Sequence, residues 1–246
     1  MAFVRQTMQK NCLWQPPEVH HFPGMRNISI ETSTHGRVLI KDAGVSPSDA
    51  RFLVGFHGYA QNAEDMLAEL DHLSNRNAWT LVSVQALHRF YLRGDERIVA
   101  SWMTRQDREL AIADNIVYID RVVRSLVAEA PQAPVVFVGF SQGVAMAYRA
   151  GVLGAHRPRG VIAIGGDIPP DVKTSPSNKF PPILVTAGES DRFYPQAKVE
   201  ADEAFLRSAG VQFDVLRYQG GHEWTDPLRE RIDQALDQII RDRPTL

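Results

Sequence analysis

Gly139-Phe140-Ser141-Gln142-Gly143 is the segment of this chain best suited to chemistry. It has the form G-x-S-x-G, with an apolar β-branched run at 135–138 before it and helical spacing at 144–153 after it. A serine on a sharp strand-to-helix turn has its hydroxyl exposed, and flanking glycines remove side chains that would clash there. The helix N-terminus behind it favours developing negative charge. The competing reading is a glycine-rich turn whose serine only caps the helix.

A serine hydroxyl is a weak nucleophile near neutral pH and needs a base. Where serine precedes its acid and base in the chain, the histidine falls on a loop after the last strand. Gly220-Gly221-His222-Glu223-Trp224 lies there, and His222 is the one of eight histidines at the required place. The acid belongs between them. The segment Gly188-Glu189-Ser190-Asp191 offers Asp191 to accept the imidazole N–H and stabilise the imidazolium, with Glu189 and Asp167 as competitors. An oxyanion needs two donors. The N–H of Gln142, next after the serine, is one, and the N–H of Tyr59 in His57-Gly58-Tyr59 is the candidate for the other. His57 precedes the serine, the wrong order for a base, and reads as a buttress of its loop.

These residues need a frame that places strand ends side by side. The sequence predicts strands at 51–56, 79–84, 135–138, 161–164, 183–186 and 211–216. Helices are expected between them. One is capped by Asn62 with Asp65 three positions on, and one runs from Thr104 to Pro131. Another covers 195–209, and the last is capped by Asp226 with Pro227 at its first position. Residues 27–31 and 37–41 flank Thr34-His35-Gly36 and suggest an edge hairpin. Residues 85–103 lack periodicity and read as a long loop. Strands alternating with helices imply an α/β fold, a mainly parallel sheet with helices on both faces and the chemistry at the strands' carboxyl ends. With the G-x-S-x-G elbow between strand and helix, the expected fold is of the α/β-hydrolase type. The expected organisation is an irregular extension over residues 1–26 and a single domain over 27–246.

Composition narrows the partners. The 246 residues carry 27 Lys+Arg against 29 Asp+Glu, a formal charge of −2, and no basic block that would suit nucleic acid. Cys12 is the single cysteine, so no internal disulfide is expected. Residues 1–17 lack a signal-peptide h-region and no run of about 18 apolar residues occurs, so the expectation is a cytoplasmic protein without a membrane span. With no H-E-x-x-H, C-x-x-C or Walker motif, neither a metal nor an organic cofactor is expected. Oligomeric state is open.

The His57-Gly58 loop, Gly139-Phe140-Ser141-Gln142-Gly143, Gly188-x-x-Asp191 with Pro195, and Gly221-His222-Glu223 together resemble the phospholipase/carboxylesterase family, which includes bacterial carboxylesterases and acyl-protein thioesterases. The similarity runs from about Arg51 to the C-terminus. It implies a compact hydrolase with a shallow site acting on small acyl or aryl esters, thioesters or lysophospholipids. By the same resemblance Trp102 is a substrate-contact candidate, a packed core tryptophan being the alternative. One departure is Val144, where family elbows often carry a further glycine. Arg89, Arg93 and Arg97 hint at an anionic substrate group, with a solvated charged loop as the plainer reading. A peptidase, a dienelactone-hydrolase-like enzyme (which would normally place cysteine at the elbow) and a non-catalytic binding protein of this fold are the rival functions.

Overall fold

The computed structural model describes residues 24–94 and 96–241. Cys12 and the first 23 residues lie outside this range. The chain divides into two compact units, residues 1–33 and 34–246. Within the first, residues 27–31 form no strand, so the expected hairpin is not made.

The second unit is built on seven strands: β1 (Arg37–Lys41), β2 (Phe52–Phe56), β3 (Thr80–Gln85), β6 (Val135–Phe140), β7 (Gly160–Ile164), β8 (Ile183–Gly188) and β9 (Phe213–Tyr218). Between β3 and β6 lie β4 (His88–Tyr91) and β5 (Ile98–Ser101). The sheet order is β1-β3-β2-β6-β7-β8-β9, with β1 antiparallel to β3 and every other pair parallel. Thus 37–41 is an edge strand as expected, but its partner is 81–85 rather than 27–31.

The inner strands read as continuous apolar runs, FLVGF in β2 and VVFVGF in β6, because both sheet faces are covered. Successive side chains alternate between two cores. Leu53, Val136, Val138 and Ile162 pack with Met66 and Leu70 of α1 (Ala63–Asp71) and with Leu228, Ile232 and Leu236 of α6 (Asp226–Arg241). Val54, Phe56, Phe137 and Val161 point the other way. They meet Ile119 and Val123 of α2 (Arg108–Val127), the buried face of α3 (Gln142–Leu153), and Val199 and Leu206 of α5 (Gln196–Ser208). A short α4 (Pro170–Lys173) lies between β7 and β8. Among the described residues no helix is long and apolar enough to cross a membrane.

Asn62 caps α1 as its spacing predicts. Its side chain accepts the Asp65 N–H at 3.0 Å, and the Asp65 carboxylate accepts the Asn62 N–H at 3.1 Å. Other boundaries differ. α2 begins at Arg108 rather than Thr104, because Asp107 adopts a left-handed conformation (φ 49°) that ends the preceding turn. α6 is capped by Thr225 rather than Asp226, the Thr225 hydroxyl accepting the Leu228 N–H at 3.4 Å. The expected long loop at 85–103 contains the antiparallel pair β4–β5, pinned to α1's entry where Asn62 Nδ2 donates to the Ile98 carbonyl at 3.0 Å.

Strand order reverses beside β2, since β3 lies on one side of it and β6 on the other. Loops leaving β2 and β6 therefore diverge around a crevice at their carboxyl ends, the usual place for a ligand in an open α/β sheet.

Candidate active site

Ser141 follows β6 directly and holds φ 54°, ψ −119°, a conformation that non-glycine residues rarely adopt. Its N–H donates to the Ile164 carbonyl at 2.9 Å, anchoring the turn to β7. The glycine after it is obligatory, because a Cβ at Gly143 would lie 2.0 Å from the Phe56 carbonyl oxygen. Local sterics thus explain why the motif needs its last glycine. Val144, the departure from the family pattern, is fully buried and packs against Gly166.

The structure brings Ser141, His222 and Asp191 into one chain of hydrogen bonds. Ser141 Oγ lies 2.8 Å from His222 Nε2, and His222 Nδ1 lies 2.7 Å from Asp191 Oδ2. Asp191 is 4% exposed. Its second oxygen accepts the N–H groups of Phe193 (2.8 Å) and Tyr194 (2.9 Å), so the carboxylate is oriented before the histidine meets it. The competitors are elsewhere: Glu189 hydrogen-bonds Gln219, and Asp167 pairs with Lys198 at 3.5 Å. The loop carrying His222 is tied by Tyr218, whose hydroxyl donates to the Glu223 carbonyl at 2.8 Å. Burial, with Asp191 and Glu223 nearby, pushes the Tyr218 hydroxyl up to about 12, which keeps it a donor.

Around the imidazole, Phe140 stands 5.0 Å from the ring and Phe193 4.9 Å. Gly165, at φ +64°, leaves room beside it: a Cβ there would sit 3.1 Å from His222 Nδ1 and 3.2 Å from Asp191 Oδ2.

His57 is fully buried. Its Nε2 accepts the Ala86 N–H at 3.1 Å, which leaves Nδ1 protonated and donating to the Gly58 carbonyl at 2.7 Å. Desolvation lowers its pKa below 6.5, so it is held neutral as a buttress. The same loop is tied to β5, with Ala60 N–H donating to the Ala100 carbonyl at 3.1 Å. Among the described residues no acceptor takes the N–H of Tyr59 or of Gln142.

Trp102, a substrate contact by resemblance, is fully buried. Its indole donates to the His57 carbonyl at 2.8 Å, its N–H to Gln142 Oε1 at 3.0 Å, and its carbonyl accepts from Asn115 Nδ2 at 2.8 Å. A groove of about 380 Å³ opens beside Ser141 and is lined instead by Met103, Arg105, Arg108, Asp167 and Phe193. A larger hollow, about 570 Å³, lies at the amino ends of β7–β9 beside Ile239, at the opposite edge from Ser141. Arg89 and Arg97 of the expected cationic loop are engaged away from the groove, Arg89 with the His35 carbonyl (2.6 Å) and Arg97 with Asp65 (3.2 Å). Nothing in the local pattern singled out Arg105, Arg108 or Phe193, which meet only through the fold. Among the described residues no group of three or more His, Cys, Asp or Glu side chains is arranged to hold a metal.

The mostly parallel sheet with helices on both faces is the α/β-hydrolase fold, and at its strand ends a serine hydroxyl, an imidazole and a buried carboxylate stand in hydrogen-bond sequence. A family model described as Phospholipase/Carboxylesterase matches residues 51–238, and the chain belongs to this family of esterase-type hydrolases. Among solved structures it is similar to the esterase PE8, with 24% identity over 83% of this chain and 98% of that chain at a TM-score of 0.63. It is also similar to the Bacillus cereus carboxylesterase (15% identity, 83% and 94% covered, TM-score 0.67). A third is Zea mays acyl-protein thioesterase 2 (16% identity, 84% and 100% covered, TM-score 0.67). At these identities the likeness fixes the fold alone. No curated protein matches the chain.

Proposed function

We propose that this protein is a serine carboxylesterase that hydrolyses small acyl or aryl esters, with thioesters and lysophospholipids as related substrates, through Ser141, His222 and Asp191. The observation that carries the reading is the relay itself, 2.8 Å from Ser141 Oγ to His222 Nε2 and 2.7 Å from His222 Nδ1 to Asp191 Oδ2. Both distances fit hydrogen bonds able to pass a proton from the nucleophile and stabilise the imidazolium.

In the first step His222 removes the Ser141 proton as Oγ attacks the carbonyl carbon. The N–H groups of Tyr59 and Gln142 receive the oxyanion, each donor contributing about 3 kcal/mol of transition-state stabilisation. The imidazolium then protonates the leaving alcohol or thiol. Water attacks the acyl-serine with His222 again as base, returning the carboxylic acid and free Ser141. Phe140 and Phe193 flank the imidazole during both steps.

The test is covalent labelling with a fluorophosphonate, alongside a panel of p-nitrophenyl esters and acyl-CoA thioesters of increasing chain length. Modification of Ser141, together with loss of turnover in Ser141→Ala, is the expected result. An unlabelled Ser141, or esterase activity that survives Ser141→Ala, would sink the assignment.

A further inference from the structure

Arg105, on the turn after Met103, and Arg108, the first residue of α2, line the same groove as Ser141. Both are exposed, and neither has an ion pair or side-chain hydrogen bond among the described residues. Of the three charged residues in the lining, they are the two without such a partner. Asp167, the acid that shares the lining, faces Lys198 at 3.5 Å. Asp171, whose carboxylate also feels Arg108, has both oxygens taken by the buried Arg149, at 2.7 and 2.8 Å. The groove therefore presents two cations beside one lining acid that already has a partner, while Asp107 and Glu109, next to Arg108 in the chain and without an ion pair among the described residues, lie outside the lining.

A guanidinium offers a planar fork of donors that fits a carboxylate or a phosphate, and it keeps its charge at any working pH. Met103, Ala145 and Phe193 supply an apolar wall in the same groove. A short aliphatic segment ending in an anion would satisfy both parts at once.

We infer that Arg105 and Arg108 form an anion subsite beside Ser141, which selects small esters carrying a carboxylate or phosphate on the acyl or the alcohol part. This rests on Ser141 being the nucleophile, as proposed above. A substrate held this way places its charge at the arginines and its ester carbonyl at the elbow. The charged group is then recognised without taking part in bond making.

Two matched pairs separate the sources of the anion: monomethyl glutarate against methyl valerate, and 1-butyrylglycerol 3-phosphate against 1-butyrylglycerol. Hydrolysis followed by pH-stat should favour the charged member of at least one pair by about ten- to a hundredfold in kcat/KM, the range of a charge-assisted hydrogen bond. Arg105→Gln with Arg108→Gln should collapse that ratio towards unity. Arg108→Lys should retain part of it. Arg124→Gln, the same charge change about 24 Å along α2, should leave it intact. Equal handling of both pairs, or a preference that survives the double substitution, overturns the subsite.

Binding keeps the two proposals apart. In the Ser141→Ala protein, ligand-observed NMR should show monomethyl glutarate bound more tightly than methyl valerate, and the two arginine substitutions should abolish the difference. Failure of fluorophosphonate labelling would remove the hydrolase reading while this measurement still decided the subsite. Equal binding of the two esters would remove the subsite while labelling still decided the hydrolase reading.

Discussion

The indole N–H of Trp102 donates to the carbonyl of His57 at 2.8 Å, joining the loop after β5 to the loop after β2. The same residue reaches the elbow through its N–H bond to Gln142 Oε1 and reaches α2 through Asn115. Trp102→Phe keeps much of the apolar bulk and deletes one donor, leaving a buried carbonyl unpaired at a cost of about 1–3 kcal/mol. The expected outcome is a lower melting temperature and a several-fold fall in kcat as the Tyr59 N–H loses its fixed aim. Thermal unfolding and steady-state kinetics on one ester check both parts. An unchanged kcat would mean the clamp serves stability alone.

Asp191→Asn places an amide opposite His222 Nδ1. The amide oxygen can still accept from Phe193 and Tyr194, so the fold should persist. Its NH2 would then face Nδ1 and favour the tautomer with the proton on Nε2, leaving Ser141 without a base. Turnover should fall by on the order of 10⁴-fold, with the melting temperature little changed. Retention of more than a tenth of the activity would move the acid's role to another residue.

Gly165→Ala tests the space beside the imidazole. A left-handed backbone costs a non-glycine residue about 1–2 kcal/mol, and here the added methyl also presses on His222 and Asp191. Gly210→Ala is the matched control: its φ is +68° with no heavy atom within 4 Å of the new Cβ. Both variants should lose stability, but only Gly165→Ala should lose kcat. Equal kinetics would show that the relay tolerates displacement.

His57 contributes a pH dependence to stability. Its folded pKa lies below 6.5, because burial disfavours the imidazolium. Below the unfolded value the unfolded chain binds a proton that the folded chain refuses. The contribution is full above about pH 6.5 and is lost progressively as pH falls towards the folded value. Urea midpoints measured between about pH 7.5 and 5.5 should fall more steeply for the wild type than for His57→Asn. Parallel slopes would contradict a neutral buried His57.

The elbow was legible in the sequence because its geometry is local: strand, glycines, serine and helix lie within about twenty residues. His222 and Asp191 were legible for a different reason, since chain order on a parallel sheet restricts which loops can meet. The strand at 37–41 was readable but its partner was not. Pairing with 81–85 is decided by which sheet edge lies open, and no local pattern records that. β4 and β5 were hidden because each has only four residues and β4 is mostly exposed, leaving no alternation to detect. Trp102 shows the same limit for side chains. An aromatic beside the long helix could have faced substrate or core, and only the donors and acceptors of three distant elements place it within the core.

Ser141 sits in a backbone conformation that costs a non-glycine residue of the order of 1–3 kcal/mol. Glycine would adopt it freely, so Ser141→Gly should melt at a higher temperature than the wild type while lacking the proposed nucleophile. Thermal robustness and turnover are therefore opposed at this one position. A laboratory population selected for heat resistance, with no screen for product, would be drawn to abandon the serine early.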